Sequence, residues 1–354
     1  MEPAFSPLQG LGFLLASWAV IGNDALQTLG PFLQANRGRT ARGLQAAFLC
    51  SILCGVLLFG WWSGDGDASW GRLASYPSPP VLGWADLLPP VVVLLLTRCG
   101  APVSTSFLLL TSFTPTSLPA LLRRSLYGYG LALLVAGLVY GVIALGRRSG
   151  SAPPGNGSAS GAATLSLSAA PLCDADQGPS PGQAALEAAP DPLAGTALLL
   201  QWIATGWLWS QWLIQDLANI FLDLPRRLAL GPLLCCLLVL CLGVGLLLGA
   251  DGGPLQAILR RKSGLDTPQE TSALSLLYGT ILAGLAVGGR EPLSTTWVFL
   301  DLLAGRELAL QLGPAPRPLA ELARDLGHDL ALAGLGLAVS VGLALALQPL
   351  RSPA

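Results

Sequence analysis

Charge is scarce in this chain. Only 11% of its 354 residues are charged and 52% are hydrophobic, against about 25% charged in ordinary soluble domains. Mean hydropathy is +0.61. A water-soluble enzyme of this length would need far more charge to cover its surface. Histidine occurs once, which with the scattered cysteines speaks against a zinc site. The 19 Lys and Arg are dispersed and offset by 20 Asp and Glu, so nucleic acid has no basic patch to bind and is not an expected partner. Cys50, Cys54, Cys99, Cys235, Cys236 and Cys241 lie in or beside apolar runs, where thiols pack as small hydrophobes. Cys173 stands alone in a polar stretch and builds no disulfide framework. No Lys or Arg precedes Arg37, so the basic n-region of a cleavable signal peptide is missing.

What is present is apolar sequence in bilayer-sized pieces. A helix crosses the hydrocarbon core with about 20 apolar residues. Gly43–Trp62, Leu126–Gly146, Leu228–Ala250, Thr271–Gly289 and Leu330–Leu347 fit that length, as does Ala194–Ile214. The last carries Trp202, Trp207, Trp209 and Trp212, the residue type favoured at membrane interfaces. Other apolar segments are interrupted: Leu8–Asn36 at Gly22-Asn23-Asp24, and the run from Leu87 at Arg98-Cys99-Gly100-Ala101-Pro102. The second half breaks similarly at Gln215-Asp216 and Arg290-Glu291-Pro292. Residues 149–193 are rich in Ser, Gly, Ala and Pro and read as a flexible linker. It divides a first unit, 1–148, from a second, 194–354. The expectation is an all-α, multi-pass integral protein of the cell membrane, with the lipid bilayer as its partner. Arg37, Arg39, Arg42, Arg123, Arg124, Arg260, Arg261 and Lys262 are expected on one side, cytoplasmic by the positive-inside rule, with Arg147, Arg148, Arg226 and Arg227 on the other.

The two units repeat one pattern. Asp24 is followed 80 residues later by Ser104, within Pro-Val-Ser-Thr-Ser. Asp216 is followed 78 residues later by Ser294, within Pro-Leu-Ser-Thr-Thr. Each Asp has an amide three residues on, Gln27 and Asn219. Interrupted hydrophobic segments at corresponding places in two halves mark a transporter binding site. The fold expected is two inverted-topology repeats, with discontinuous helices or re-entrant hairpins meeting at the bilayer midplane.

At these residues the chain resembles the inorganic phosphate transporter (PiT) family of sodium- or proton-coupled symporters. Asn23-Asp24 and Asp216-Leu217-Ala218-Asn219 resemble the family's Asn-Asp-Val-Ala-Asn. Gly100-Ala101-Pro102-Val103-Ser104-Thr105 and Pro292-Leu293-Ser294-Thr295-Thr296 resemble its Pro-Val-Ser-Thr-Thr-His. Gln27, Gln215 and Ser106 depart from that pattern, and Phe107 and Trp297 replace both motif histidines. The resemblance implies symport of inorganic phosphate with Na⁺ by alternating access. Transport of another oxyanion such as sulfate, or a transport-inactive sensor or assembly subunit, are the alternatives. A homodimer is an expected assembly. No enzymatic activity and no cofactor beyond Na⁺ as coupling ion are expected.

The chemistry fits an oxyanion. Ser104, Thr105, Ser106, Ser294, Thr295 and Thr296 supply hydroxyl donors at the starts of two helices, whose free N–H groups and dipoles attract anions. Pro102 and Pro292 suit the first helical turn. The same hydroxyls could instead cap their helices. Asp24 and Asp216 each cost about 2.5–3.5 kcal/mol within the membrane. With Asn23, Gln27 and Asn219 they form a candidate Na⁺ set, although Asp24 with Gln27 also reads as a capping box. Arg98 and Arg290 either neutralise the substrate or pair elsewhere. Asp301 is a candidate partner of Arg306, and His328 belongs to a solvated helix end.

Overall fold

The computed structural model describes residues 6–77, 82–98, 103–150, 192–249, 268–289, 292–314 and 316–351. Residues 151–191 of the linker, with Cys173, as well as Cys99-Gly100-Ala101-Pro102 and Arg290-Glu291, fall outside these. Every regular element among the described residues is helical. Helix α1 (Pro7–Val20) passes through a π-helical turn (Ile21–Ala25) into α2 (Leu26–Ala35), and α3 spans Arg42–Ser63. A short pair follows, α4 (Leu88–Arg98) and α5 (Thr105–Phe113), then the long α6 (Leu118–Gly150). The second half comprises α7 (Pro192–Ile220), α8 (Leu230–Gly249), α9 (Pro268–Val287), α10 (Thr295–Leu310) and α11 (Leu319–Arg351). Five of these segments are apolar and long enough to cross a membrane: α3, α6 with its preceding turn, α8, α9 and α11. This is an all-α, multi-pass membrane architecture.

Contacts between elements fix their directions. Phe13 packs on Phe221 with ring centroids 5.6 Å apart, while Asn36 Nδ2 donates to Gln201 Oε1 at 2.8 Å. The α1–α2 helix is therefore antiparallel to α7. At one end of the bundle, the segments after α3 and after α7 interlock. Leu228 N donates to Gly66 O at 2.9 Å, Arg226 to Pro77 O at 2.6 Å, and Arg227 pairs with Asp65 at 3.0 Å. We call this the loop end. At the far end Arg42 donates to Gly249 O at 3.2 Å and Arg147 lies 3.8 Å from Glu270. The first half starts at the loop end, and α4–α5 dips in from that end and returns to it. With 11 and 9 residues, neither member of this pair could cross alone. The second half starts at the far end, to which α10 returns.

Three expectations need correction. Leu8–Asn36 is not broken open: a π turn absorbs Gly22-Asn23-Asp24 and the helix continues. Gln215-Asp216 does not interrupt α7, which runs 29 residues to Ile220. The arginines also divide differently, with Arg42 and Arg147 at the far end and Arg123 and Arg124 in the first turns of α6 at the loop end.

Packing explains these placements. Trp209 and Trp212, expected at an interface, are each 1% exposed and stack at 4.8 Å. Trp209 Nε1 donates to Leu49 O at 3.0 Å, so the indole's polar edge is satisfied inside the bundle. Small residues let backbones meet, as is usual between membrane helices. A Cβ at Gly305 of α10 would collide with the Leu133 carbonyl and lie 3.0 Å from Ala136 Cβ of α6. Helix α10 packs on α6, and α5 packs on α11. In each case the helix opened by a hydroxyl motif leans on the long helix of α6–α11.

Candidate functional site at the duplicated motifs

Both hydroxyl motifs begin a helix, and both serines cap it. Ser104 Oγ accepts from Phe107 N at 3.2 Å and Ser294 Oγ from Trp297 N at 3.4 Å. The capping reading is thus right for these two residues. Pro292 lies two residues before its N-cap rather than in the first turn. The N–H groups of Thr105, Ser106, Thr295 and Thr296 precede the first intrahelical bonds. Across the halves the motifs bond reciprocally. Ser106 Oγ donates to Leu293 O at 3.0 Å, and its counterpart Thr296 Oγ1 lies 3.5 Å from Val103 O.

The carboxylates complete the cluster. Asp24 accepts from the hydroxyl of Thr105, from Thr296 Oγ1 at 2.9 Å and from Asn23 Nδ2 at 2.8 Å. Asn23 also donates to Val103 O at 2.5 Å. Asp24 does not cap α2, whose N-cap is Ala25 with no side-chain bond. The π turn explains why: it rotates Asp24 away from the start of α2 and towards α5 and α10. Asn219 Nδ2 donates both to Asp216 Oδ1 at 2.8 Å and to Ser106 Oγ at 2.9 Å. Asp24 and Asp216 lie within electrostatic range of one another. All these side chains are at most 4% exposed.

Within the cluster, three second-half oxygens have no hydrogen-bond partner, Asp216 Oδ2, Asn219 Oδ1 and Thr295 Oγ1, as is also true of Gln215 Oε1 next to Asp216 in the chain. A buried polar atom left in this way costs about 1–3 kcal/mol. A carboxylate, an amide carbonyl and a hydroxyl are the oxygen ligands that hard cations take. The residues present therefore fit Na⁺. In the first half the carboxylate of Asp24 and the hydroxyl of Thr105 are engaged with one another, and Thr296 donates to the same carboxylate.

The remaining expected residues sit elsewhere. Arg98 is exposed at the last turn of α4, where a cation complements the helix dipole. Arg290 and the Gln27 side chain lie outside the described residues. Arg306 pairs with Glu307 at 2.6 Å and Glu270 at 3.1 Å, and His328 is exposed.

Two arginines that the motifs do not point to reach the site. Arg72, in the loop after α3, is 3% exposed; its Nε donates to Ile214 O at 2.6 Å, two residues before Asp216. Burial pulls its guanidinium down to about 10, with nearby Arg124 adding to the effect and Asp216 opposing it. It still carries its charge at neutral pH. Arg124 donates to Gly289 O at 2.7 Å and also to Leu285 O, so it holds the chain leading into the second hydroxyl motif. Ser294 N is held in turn by Ser125 Oγ at 3.1 Å. Nothing local in the sequence marks Arg72, since its burial follows from the loop folding back on α7. No family model matches the chain, and neither a curated protein nor a solved structure matches it.

Proposed function

We propose that this protein is a secondary active transporter of inorganic phosphate, driven by Na⁺, and a divergent relative of the PiT symporters. The observation that carries the reading is the junction of the two hydroxyl motifs around Asp24 and Asp216, each half completing the other's site. The opposite ends at which the halves start, and the reciprocal α5–α11 and α10–α6 packing, support inverted-topology repeats.

The chemistry follows from the donors. Hydroxyls are rotatable, so Thr105 and Thr296 can turn from Asp24 to an incoming oxyanion. The first-turn N–H groups of α5 and α10 add donors and partial positive charge. Asp24 accepts the proton that phosphate carries near neutral pH, whereas sulfate has none and meets the carboxylate as repulsion. Na⁺ bound by Asp216 Oδ2 and Thr295 Oγ1 offsets the substrate's charge, with Arg72 as a fixed second cation. The buried cluster is the occluded arrangement of alternating access.

Purified protein in liposomes tests this reading. Labelled phosphate should accumulate under an inward NaCl gradient and not under choline chloride. Unlabelled phosphate and arsenate should compete while sulfate should not. Better competition by sulfate would overturn the substrate; binding without flux would overturn transport.

A further inference from the structure

The inner face of α7 carries more polar atoms than its neighbours satisfy. Gln201, Thr205, Trp212, Gln215, Asp216 and Asn219 recur at helical spacing and share one side of the helix. Each is at most 2% exposed. Each nevertheless keeps one polar atom without a hydrogen-bond partner: Nε2 of Gln201, Oγ1 of Thr205, Nε1 of Trp212, Oε1 of Gln215, Oδ2 of Asp216 and Oδ1 of Asn219. At the helical rise the row extends about 22 Å from Gln201, towards the far end, to Asp216 at the candidate site.

The row has a direction. Its inner members, Gln215, Asp216 and Asn219, present oxygens that accept, whereas the outer three present two N–H groups and a hydroxyl. The orientation of the outermost is fixed by its neighbours. Trp202 Nε1, which can only donate, donates to Asn36 Oδ1 at 3.2 Å. Asn36 Nδ2 therefore faces Gln201 and donates to its Oε1 at 2.8 Å, which leaves Gln201 Nε2 as the partnerless end. The same contacts shut the outer end of the row, where the Trp202 ring packs on Phe32 of α2 and Phe48 of α3 with centroids 5.2 and 4.8 Å away. Polar groups at membrane depth face a partner or a water-filled cavity. Water, which both donates and accepts, satisfies the two parts of the row alike.

We propose that this face of α7 lines the far-end leg of the transport pathway, a water-filled passage shut in this structure at Asn36 and Phe32. Phosphate passes through it between Asp24 and the far end, and Trp212 Nε1, Thr205 Oγ1 and Gln201 Nε2 are its successive donors. Two of these three are N–H groups, which bind anions and not cations. The substrate rests on the transport reading. The passage itself rests on the six partnerless atoms.

Side-specific cysteine labelling tests the passage without requiring transport. Gln201→Cys, Thr205→Cys and Trp212→Cys are made singly in the full chain in liposomes and exposed to an anionic, membrane-impermeant thiosulfonate. Mass spectrometry locates the label and separates it from the native cysteines. Ser63→Cys and Arg148→Cys, exposed at the loop end and the far end, mark the two sides. Thr205→Cys should label from the far end, about tenfold more slowly once Na⁺ and phosphate together favour the closed arrangement. Thr205→Val should hold or raise the unfolding midpoint, because the hydroxyl it removes has no partner to lose, and should reduce phosphate uptake about fivefold. Trp212→Phe, which removes a donor from the same row, provides a second uptake measurement should a cysteine variant not fold. Labelling from the far end at none of the three positions would overturn the passage. Wild-type uptake in both Thr205→Val and Trp212→Phe would overturn its use by phosphate. Far-end labelling in a protein that shows no Na⁺-driven uptake would instead overturn the transport reading and leave the passage standing.

Discussion

The two halves carry the same motif in different states. In the first half Asp24 sits in a π turn and is saturated with donors from Thr105, Thr296 and Asn23. In the second, Asp216 sits in an uninterrupted helix with one oxygen bound to Asn219 and the other unpartnered. Asp24 braces the halves across the bundle through Thr105 and Thr296; on the proposed reading it meets the substrate, while Asp216 keeps its second oxygen for a cation. The far end differs too: the second half's Arg306 is buried between Glu270 and Glu307, which continue through Arg317 to Asp325.

The largest expected effect is at Asp24. Asp24→Asn should lower phosphate uptake by at least about 100-fold and also lower the unfolding midpoint. Two buried hydroxyls lose their charged acceptor, at about 1–3 kcal/mol for each group left unpaired. Asp216→Asn should behave oppositely in stability. Neutralising a buried carboxylate with an unpartnered oxygen removes a desolvation cost, so the midpoint in choline chloride should hold or rise while the response to Na⁺ weakens. Equal destabilisation by both variants would erase the proposed division.

Arg72→Met comes next. Losing a fixed buried cation near Asp216 should raise the phosphate concentration for half-maximal uptake by about tenfold, and Arg72→Lys should recover part of it. Gly305→Val, placed against the Leu133 carbonyl of α6, should cost about 1–3 kcal/mol of stability through overpacking, measured by denaturant-dependent loss of α10–α6 contact. The smallest effect belongs to His328→Ala at an exposed turn of α11, where uptake should change less than twofold.

Much of this was legible before any coordinates. Apolar run length located the crossing helices to within a few residues at α3, α8 and α9, because a bilayer imposes one length on all of them. The repeated Asp and hydroxyl motifs located the cluster, since polar groups inside apolar segments must meet one another. The π turn was not legible. Gly22-Asn23-Asp24 reads as a break, yet a π turn over Ile21–Ala25 keeps the backbone bonded within the helix, which continues. Nor was the burial of Trp209 and Trp212, whose helix α7 meets α3 although the first hydroxyl motif and the linker separate the two in sequence. Arg72 escaped notice for a related reason: it lies in a loop segment whose charge is unremarkable until the loop folds back on α7.

The central claim is that one site, shared by both halves, couples Na⁺ to phosphate. Its most direct measurement is labelled phosphate uptake into liposomes as a function of Na⁺ gradient, comparing wild type, Asp24→Asn and Asp216→Asn at matched protein incorporation. The account predicts concentrative uptake by wild type, near-complete loss in Asp24→Asn, and residual uptake in Asp216→Asn with a weakened dependence on Na⁺. Wild-type uptake and Na⁺ dependence in both variants would contradict it.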